Sequence, residues 1–360
     1  MMISVVDLPP NESRPLGRRL LRWARRAALS LLAILVVLAC LGGAYQLIGN
    51  WRDARRFPQR GRTVRVGTLK MNIDCAGSGS PTVILEQGGG MPALGWTKVQ
   101  PQVAHFTRVC SYDRAGYGWS ESGPMPRTIP RLVKELKALL DASGEKGPYV
   151  MAGASLGGPI VRLYTKLYPN DVAGLILVDA SHEDQQKRAQ SVQPPELIAE
   201  NNREVENYQR WERLRRPFML HLGIERFMVH FTQQSGLMPQ PFWEEYLYLS
   251  QKPDFQETVA SEIRSLPNSS SALSAANLGD RPLIVLTAGQ MTFTPEPFLT
   301  KEIEDKIRNV FHEMQAEQAR LSTRGKQIVI PDSGHVIMLE RPDAVISAIH
   351  EVWTAVSAAN

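Results

Sequence analysis

Ser155 is the residue whose neighbours best equip it to act as a nucleophile. It stands in Gly153-Ala154-Ser155-Leu156-Gly157, after an apolar run at residues 148–152. Residues 156–168 follow, with Ile160, Val161, Leu163, Tyr164 and Leu167 at helical spacing, and the pattern stops at Pro169. Gly-x-Ser-x-Gly between a strand and a helix reads as a nucleophile elbow, a turn tight enough to push the serine hydroxyl outward. Side chains at 153 and 157 would collide with neighbouring backbone in such a turn. A serine hydroxyl is a poor nucleophile at neutral pH, so it needs a base within hydrogen-bond reach and an acid to orient that base.

Of the histidines at 105, 182, 221, 230, 312, 335 and 350, His335 is the expected base. It lies in Ile330-Pro331-Asp332-Ser333-Gly334-His335, just after a short predicted strand at 327–330. A loop there brings an imidazole to the same sheet edge as the elbow. His182 also follows a strand and is the second candidate base, though it is expected rather to line the entrance and touch substrate. The acid is expected at Asp179, the last residue of the apolar run 172–179. The loop after the next strand, 282–287, holds no aspartate, and its Glu296 is the second candidate; Asp332 is read as shaping the His335 loop. A developing oxyanion needs preorganised donors. The N–H groups of Leu156 and Gly89 are expected to supply them, with Gly88 beside them in the bare run Gln87-Gly88-Gly89-Gly90. The segment Asp113-Arg114-Ala115-Gly116-Tyr117-Gly118-Trp119-Ser120 reads as a buried ionic turn beneath these loops. No metal-ligand spacing occurs, and no organic cofactor is implied.

These groups need a frame. Predicted strands at 63–75 (two, about a turn at Gly67-Thr68), 82–86, 107–112, 148–152, 172–179, 282–287 and 327–330 alternate with helical patterns at 129–142, 156–168 and 344–356. That alternation predicts an α/β fold with a mostly parallel sheet flanked by helices. Residues 183–280 break the pattern and read as a helical cap over the strand ends, so the core comprises 63–182 and 281–360. In open α/β sheets ligands bind outside the carboxyl ends of the strands, where such a cap would roof the site. Its Phe218, Met219, Leu220, Phe227, Met228, Phe231, Phe242 and Trp243 serve either as an acyl-binding roof or as the cap's own core.

The 360 residues carry a net charge of +5, with 43% hydrophobic and 21% charged residues, which are globular values. The positive excess is local. Arg14, Arg18, Arg19, Arg22, Arg25 and Arg26 precede an uncharged run, and Arg52, Arg55, Arg56, Arg60 and Arg62 follow it. Without them the body is mildly acidic, and no aromatic-interleaved basic stripe points to nucleic acid. Residues 27–45 alone would span about 28 Å as a helix, close to a bilayer's hydrocarbon core. The reading is a basic tail at 1–26, a single transmembrane anchor at 27–49 and a polar stalk at 50–62, retained rather than cleaved as a signal peptide. The expected location is a bacterial inner membrane with the catalytic body exported. Cys75 and Cys110 then either pair in an oxidising compartment or stay as small buried thiols.

Leu85-Glu-Gln-Gly-Gly-Gly90, Tyr112-Asp-Arg-Ala-Gly-Tyr-Gly-Trp-Ser120, Gly153-Ala-Ser-Leu-Gly-Gly158, Leu175-Ile-Leu-Val-Asp-Ala-Ser181 and Asp332-Ser-Gly-His335, in this order, resemble the α/β-hydrolase family from about residue 63 to 360. The chain most resembles its membrane-anchored bacterial serine esterase-like members. The resemblance implies an eight-stranded sheet with the second strand antiparallel, which would make the strands of Cys75 and Cys110 neighbours. Three departures stand out. Gln87 replaces the usual oxyanion-loop histidine, Ala154 precedes the serine, and the acid falls after the sixth strand rather than the seventh. The implied activity is carboxylic ester hydrolysis, of the carboxylesterase or lipase kind, on a small-molecule ester or lipid-like substrate. The alternatives are an acyltransferase, a peptidase, or a non-catalytic membrane-tethered ligand-binding protein.

Overall fold

A computed structural model describes residues 16–229, 231, 238–252, 254–273, 277–290 and 300–358. Eight strands make one sheet: β1 (Arg62–Val66), β2 (Leu69–Ala76), β3 (Val83–Glu86), β4 (Val109–Tyr112), β5 (Tyr149–Ala154), β6 (Val172–Val178), β7 (Leu283–Ala288) and β8 (Gly325–Ile330). Their spatial order is β1-β2-β4-β3-β5-β6-β7-β8. β2 runs antiparallel to both neighbours, and every other pairing is parallel. Chain order reverses between β3 and β5, the switch point where an open α/β sheet leaves a crevice at its carboxyl edge.

The strands alternate between two apolar layers, as period-two side chains must. Tyr149 and Met151 of β5 join one cluster, with Leu132, Leu136 and Leu139 of the helix Ile129–Ser143 and Ile160 and Leu163 of the helix Gly157–Leu167. Val150, Ala152 and Ala154 face the other, with Trp96 and Val345, Ile349 and Val352 of the helix Pro342–Ser357. Burial on both faces explains why β5 and β6 read as continuous apolar runs. Each fully buried Leu or Val in these layers contributes roughly 1.5–3 kcal/mol relative to exposure. Cys75 and Cys110 sit directly opposite each other on β2 and β4 and form a disulfide.

Between β6 and β7 the described residues form helices, chiefly Pro195–His221, Gln240–Ser250 and Phe255–Ser265. The N-terminal helix runs Leu16–Arg56, so it takes in residues that the sequence pattern assigned to the basic tail and the stalk. Its arginine-rich ends have good helix formers and no proline between Leu16 and Arg56, so nothing stops the helix at the edges of the apolar run. The long helix Lys301–Ala319 has no counterpart in the sequence pattern; its buried Ile307 and Met314 anchor it.

Candidate active site

Ser155 sits between β5 and the helix Gly157–Leu167 with φ +48°, a left-handed conformation that costs a non-glycine residue about 1–3 kcal/mol. The surroundings hold it there. Its N–H donates to the Val178 carbonyl at 3.0 Å, and its own carbonyl accepts from Ser181 N–H at 2.9 Å. The flanking glycines are steric necessities. A Cβ on Gly153 would fall 2.6 Å from the Gly157 carbonyl oxygen, and one on Gly157 would fall 2.6 Å from that of Glu86. Helix and strand therefore approach closely enough to thrust the serine side chain outward.

His335 follows β8, and its Nε2 lies 3.0 Å from Ser155 Oγ. Its Nδ1 lies 2.6 Å from Asp179 Oδ2. A carboxylate only accepts, so Nδ1 carries the hydrogen and Nε2 accepts from the serine hydroxyl. Asp179 follows β6 at φ +41°, another left-handed non-glycine position. Its second oxygen, Oδ1, accepts from Ala288 N–H at 3.0 Å, and its own N–H donates to Leu286 at 2.7 Å. The end of β7 thus braces the acid that β6 carries. Burial pulls the His335 pKa down, but the hydrogen bond and charge of Asp179, helped by Glu340, outweigh it and raise the pKa above 6.5. Glu340 also shapes the loop, accepting from Ser333 Oγ at 2.8 Å and from Gly334 N–H. Asp332 pairs with Arg341, as expected of a loop-shaping residue.

The glycine run after β3 borders the serine. A Cβ on Gly88 would lie 3.0 Å from Ser155 Cβ. The Gly88 N–H is engaged by its neighbour's side chain, Gln87 Oε1, at 2.9 Å, and the Gly90 N–H by Tyr117 Oη at 3.2 Å. Neither Gly89 N–H nor Leu156 N–H donates to another described residue. The Gln87 side chain therefore occupies the Gly88 N–H, while the Gly89 N–H has no such partner among the described residues.

Beneath this run lies a buried ionic cluster. Arg114 binds Glu86 at 2.6 Å and Glu262 at 2.8 Å, and it also donates to the carbonyls of Gln87 at 2.5 Å and Gly88 at 2.9 Å. Tyr112 donates to Glu86 and Tyr117 to Glu262. Burial raises the Glu86 pKa, against the opposing pull of Arg114. The ionic turn expected at 113–120 is therefore a clamp that fixes the peptide planes of the glycine run. Its cap partner, Glu262, escaped the sequence reading, because an isolated glutamate in a polar helix carries no motif. Tyr246, whose hydroxyl donates to the Gly90 carbonyl at 3.3 Å, and Ile263, against Gly89, escaped for the same reason.

Other expectations place differently. His182 is nine-tenths buried and lines a cavity of about 520 Å³ with Arg162, Glu183 and Glu317, and Ser155 is not among that cavity's walls. Its Nδ1 accepts from Asp184 N–H at 3.1 Å, and burial lowers its pKa. It packs there rather than at the entrance. Glu296 lies outside the described residues. Of the cap's apolar residues, Phe218, Phe227, Met228 and Phe231 are exposed, neither roof nor core, whereas Leu220 is buried and Phe242 and Trp243 pack on the sheet's second layer. Among the described residues one trio gathers metal-ligating atoms, Cys75, Cys110 and Glu145, but its sulfurs are bonded to each other and Glu145 holds Arg108.

A hydroxyl, an imidazole and a carboxylate thus stand in one line of contacts at the switch point of an α/β sheet. The chain belongs to the alpha/beta hydrolase family, whose model matches residues 83–348. It is 25% identical over 316 residues to a probable transporter, efuK, of Hormonema carpetanum, covering 79% of this chain and 42% of that protein. The chain thus spans about two fifths of that relative. Among solved structures it is similar to a thermophilic esterase from Thermogutta terrifontis, with TM-score 0.55 and 22% identity over 82% of this chain and 98% of the other. A putative acyltransferase from Salmonella enterica gives TM-score 0.60 and 21% identity over 82% and 95%. At these identities the structural likeness speaks for the fold.

Proposed function

We propose that this protein is a membrane-anchored serine hydrolase of carboxylic esters. The observation that carries the proposal is the unbroken chain of contacts from Ser155 Oγ through His335 to Asp179, at 3.0 and 2.6 Å. In the first half-reaction Ser155 Oγ bonds to the acyl carbon while its proton passes to His335 Nε2. The N–H groups of Gly89 and Leu156 receive the oxyanion, which has no competing protein partner there. Collapse breaks the bond to the alcohol oxygen, and His335 returns the proton to that leaving group. Water then repeats the sequence on the acyl-enzyme, and the acid departs. Asp179 acts as a positioning residue. It fixes the imidazole's tautomer and stabilises the imidazolium without taking its proton.

The His335 side chain is about half exposed, which is in keeping with water as the acyl acceptor. An acyltransferase on the same residues would require a second substrate to exclude that water. The anchor reading draws on the helix Leu16–Arg56, which is long and apolar enough to cross a bilayer. The Cys75–Cys110 disulfide is in keeping with a body on the oxidising side.

Fluorophosphonate labelling tests the proposal. The wild-type chain should label and Ser155→Ala should not; a wild type that stays unlabelled while folded would overturn it.

A further inference from the structure

The N-terminal helix, at Gly42 in its C-terminal half, and the tip of the cap touch backbone to backbone. A Cβ on Gly42 would lie 2.3 Å from the Leu222 carbonyl oxygen, and one on Gly223, at φ +66°, would lie 2.9 Å from that of Gly42. Arg226 extends along the helix from this contact, donating to Gln46 at 3.3 Å, Asn50 at 2.8 Å and Asp53 at 2.6 Å. Beside the contact, Leu214, Phe218, Ile224, Phe227 and Phe231 are all exposed, with Phe218 and Phe231 at 70% and 75%. These side chains share no cluster with the cap's buried Leu220, and they lie beside a helix whose own Leu35 and Leu38 are more than half exposed.

Depth decides what covers them. Gly42 precedes Arg52, the first charge after Arg26, by ten residues, or about 15 Å of helix. If Arg52 sits among the headgroups, Gly42 lies roughly 10 Å inside the hydrocarbon. Whatever packs against Gly42 enters the bilayer to a similar depth, and 5–10 Å is the depth at which interfacial helices bury their apolar face. The charges at the tip suit that position. Arg226 reaches back toward the headgroup end, as a snorkelling arginine does, and Glu225 is held by Arg216 at 2.8 Å.

We propose that the cap's apolar tip, centred on Phe218, Phe227 and Phe231, is a second membrane contact seated in the same leaflet as the C-terminal end of the anchor helix. The proposal rests on the anchor reading and extends it to the substrate. The cap helix Gln240–Ser250 links the two regions. Its Glu245 binds Arg60 beyond the anchor at 2.5 Å, and its Tyr246 holds Gly90 beside the site. The glycine run is thereby fixed at a set height over the bilayer, where the ester it meets is an amphiphile drawn from that leaflet.

The test uses the full chain in phosphatidylcholine vesicles. In a Cys40→Ala background that keeps the Cys75–Cys110 disulfide, a single free cysteine at 227, 35 or 134 carries an environment-sensitive fluorophore, and doxyl-labelled lipids act as quenchers. Quenching at 227 and 35 but not at 134 supports the proposal. Quenching at 35 without 227 overturns it and leaves the anchor standing. Quenching at neither overturns both. A blue-shifted probe at 227 that lipid quenchers do not reach signals a protein partner on this face, and it also overturns the proposal. As a second readout, Phe227→Glu with Phe231→Glu should raise KM for a vesicle-held long-chain ester about tenfold or more, the worth of burying one phenylalanine. Turnover of a soluble short-chain ester should not change. An unchanged KM for the vesicle-held ester would count against the contact.

Discussion

Asp179→Asn isolates the role of the acid with almost no change in shape. The Asp179 carboxylate accepts two hydrogen bonds, one oxygen from Ala288 N–H and the other from His335 Nδ1. Asparagine has one acceptor oxygen. The Ala288 N–H is fixed at the end of β7, so it keeps the oxygen, and the amide nitrogen turns to His335. Two donors cannot face each other. The imidazole therefore moves its hydrogen to Nε2, where it can no longer accept the Ser155 proton. Loss of the correct tautomer at a serine–histidine pair costs about 10⁴-fold in turnover, or roughly 5 kcal/mol of transition-state stabilisation. The assay is kcat/KM on a soluble p-nitrophenyl ester, with thermal unfolding to confirm that the variant folds. The charge that raises the His335 pKa also disappears, so the residual activity should have its acidic limb at lower pH than wild type. Full turnover in Asp179→Asn, with Glu296→Gln inactive, would refute the reasoning and move the acid to the loop after β7.

Three further outcomes are expected. In the proposed mechanism His335 works as neutral imidazole with a raised pKa, so wild-type kcat/KM should fall as pH drops through a midpoint above that of a free imidazole; a midpoint below it would contradict the Asp179 contact. The same shift makes protonated His335 favour the folded state below its unfolded pKa, and that contribution fades as pH rises through the folded value. Cys75→Ala with Cys110→Ala opens a loop of 35 residues' separation and should cost about 3–4 kcal/mol, read as a lower denaturation midpoint in detergent. Arg114→Met leaves Glu86 and Glu262 buried without their cation and should cost about 3–5 kcal/mol. Adding Glu86→Gln and Glu262→Gln should restore much of that stability, though not the turnover that depends on the clamped Gln87 and Gly88 carbonyls.

The sequence made Ser155, Asp179 and His335 visible because each ends or follows an apolar strand, and strand ends of a parallel sheet converge on one edge. β1 and β2 were legible from the turn at Gly67, and β5 and β6 from their unbroken apolar runs, which signal burial on both faces. The helix Lys301–Ala319 was hidden because charged residues dilute its apolar stripe, although Ile307 and Met314 lie seven apart. Glu262 was out of reach for another reason: its partner Arg114 is 148 residues away, and long-range ion pairs leave no local pattern. The direction of Phe218, Phe227 and Phe231 was equally hidden. In cap segments apolar residues alone do not say whether they face a core, a ligand or a membrane.

A covalent acyl group on Ser155 is the most direct mark of the proposed chemistry. Mixing the full chain with a slowly deacylated ester, quenching in acid and mapping the digest by mass should find the acyl mass on the peptide that contains Ser155, with that adduct missing in Ser155→Ala. Ester turnover with no adduct, or with the adduct on another residue, would contradict it.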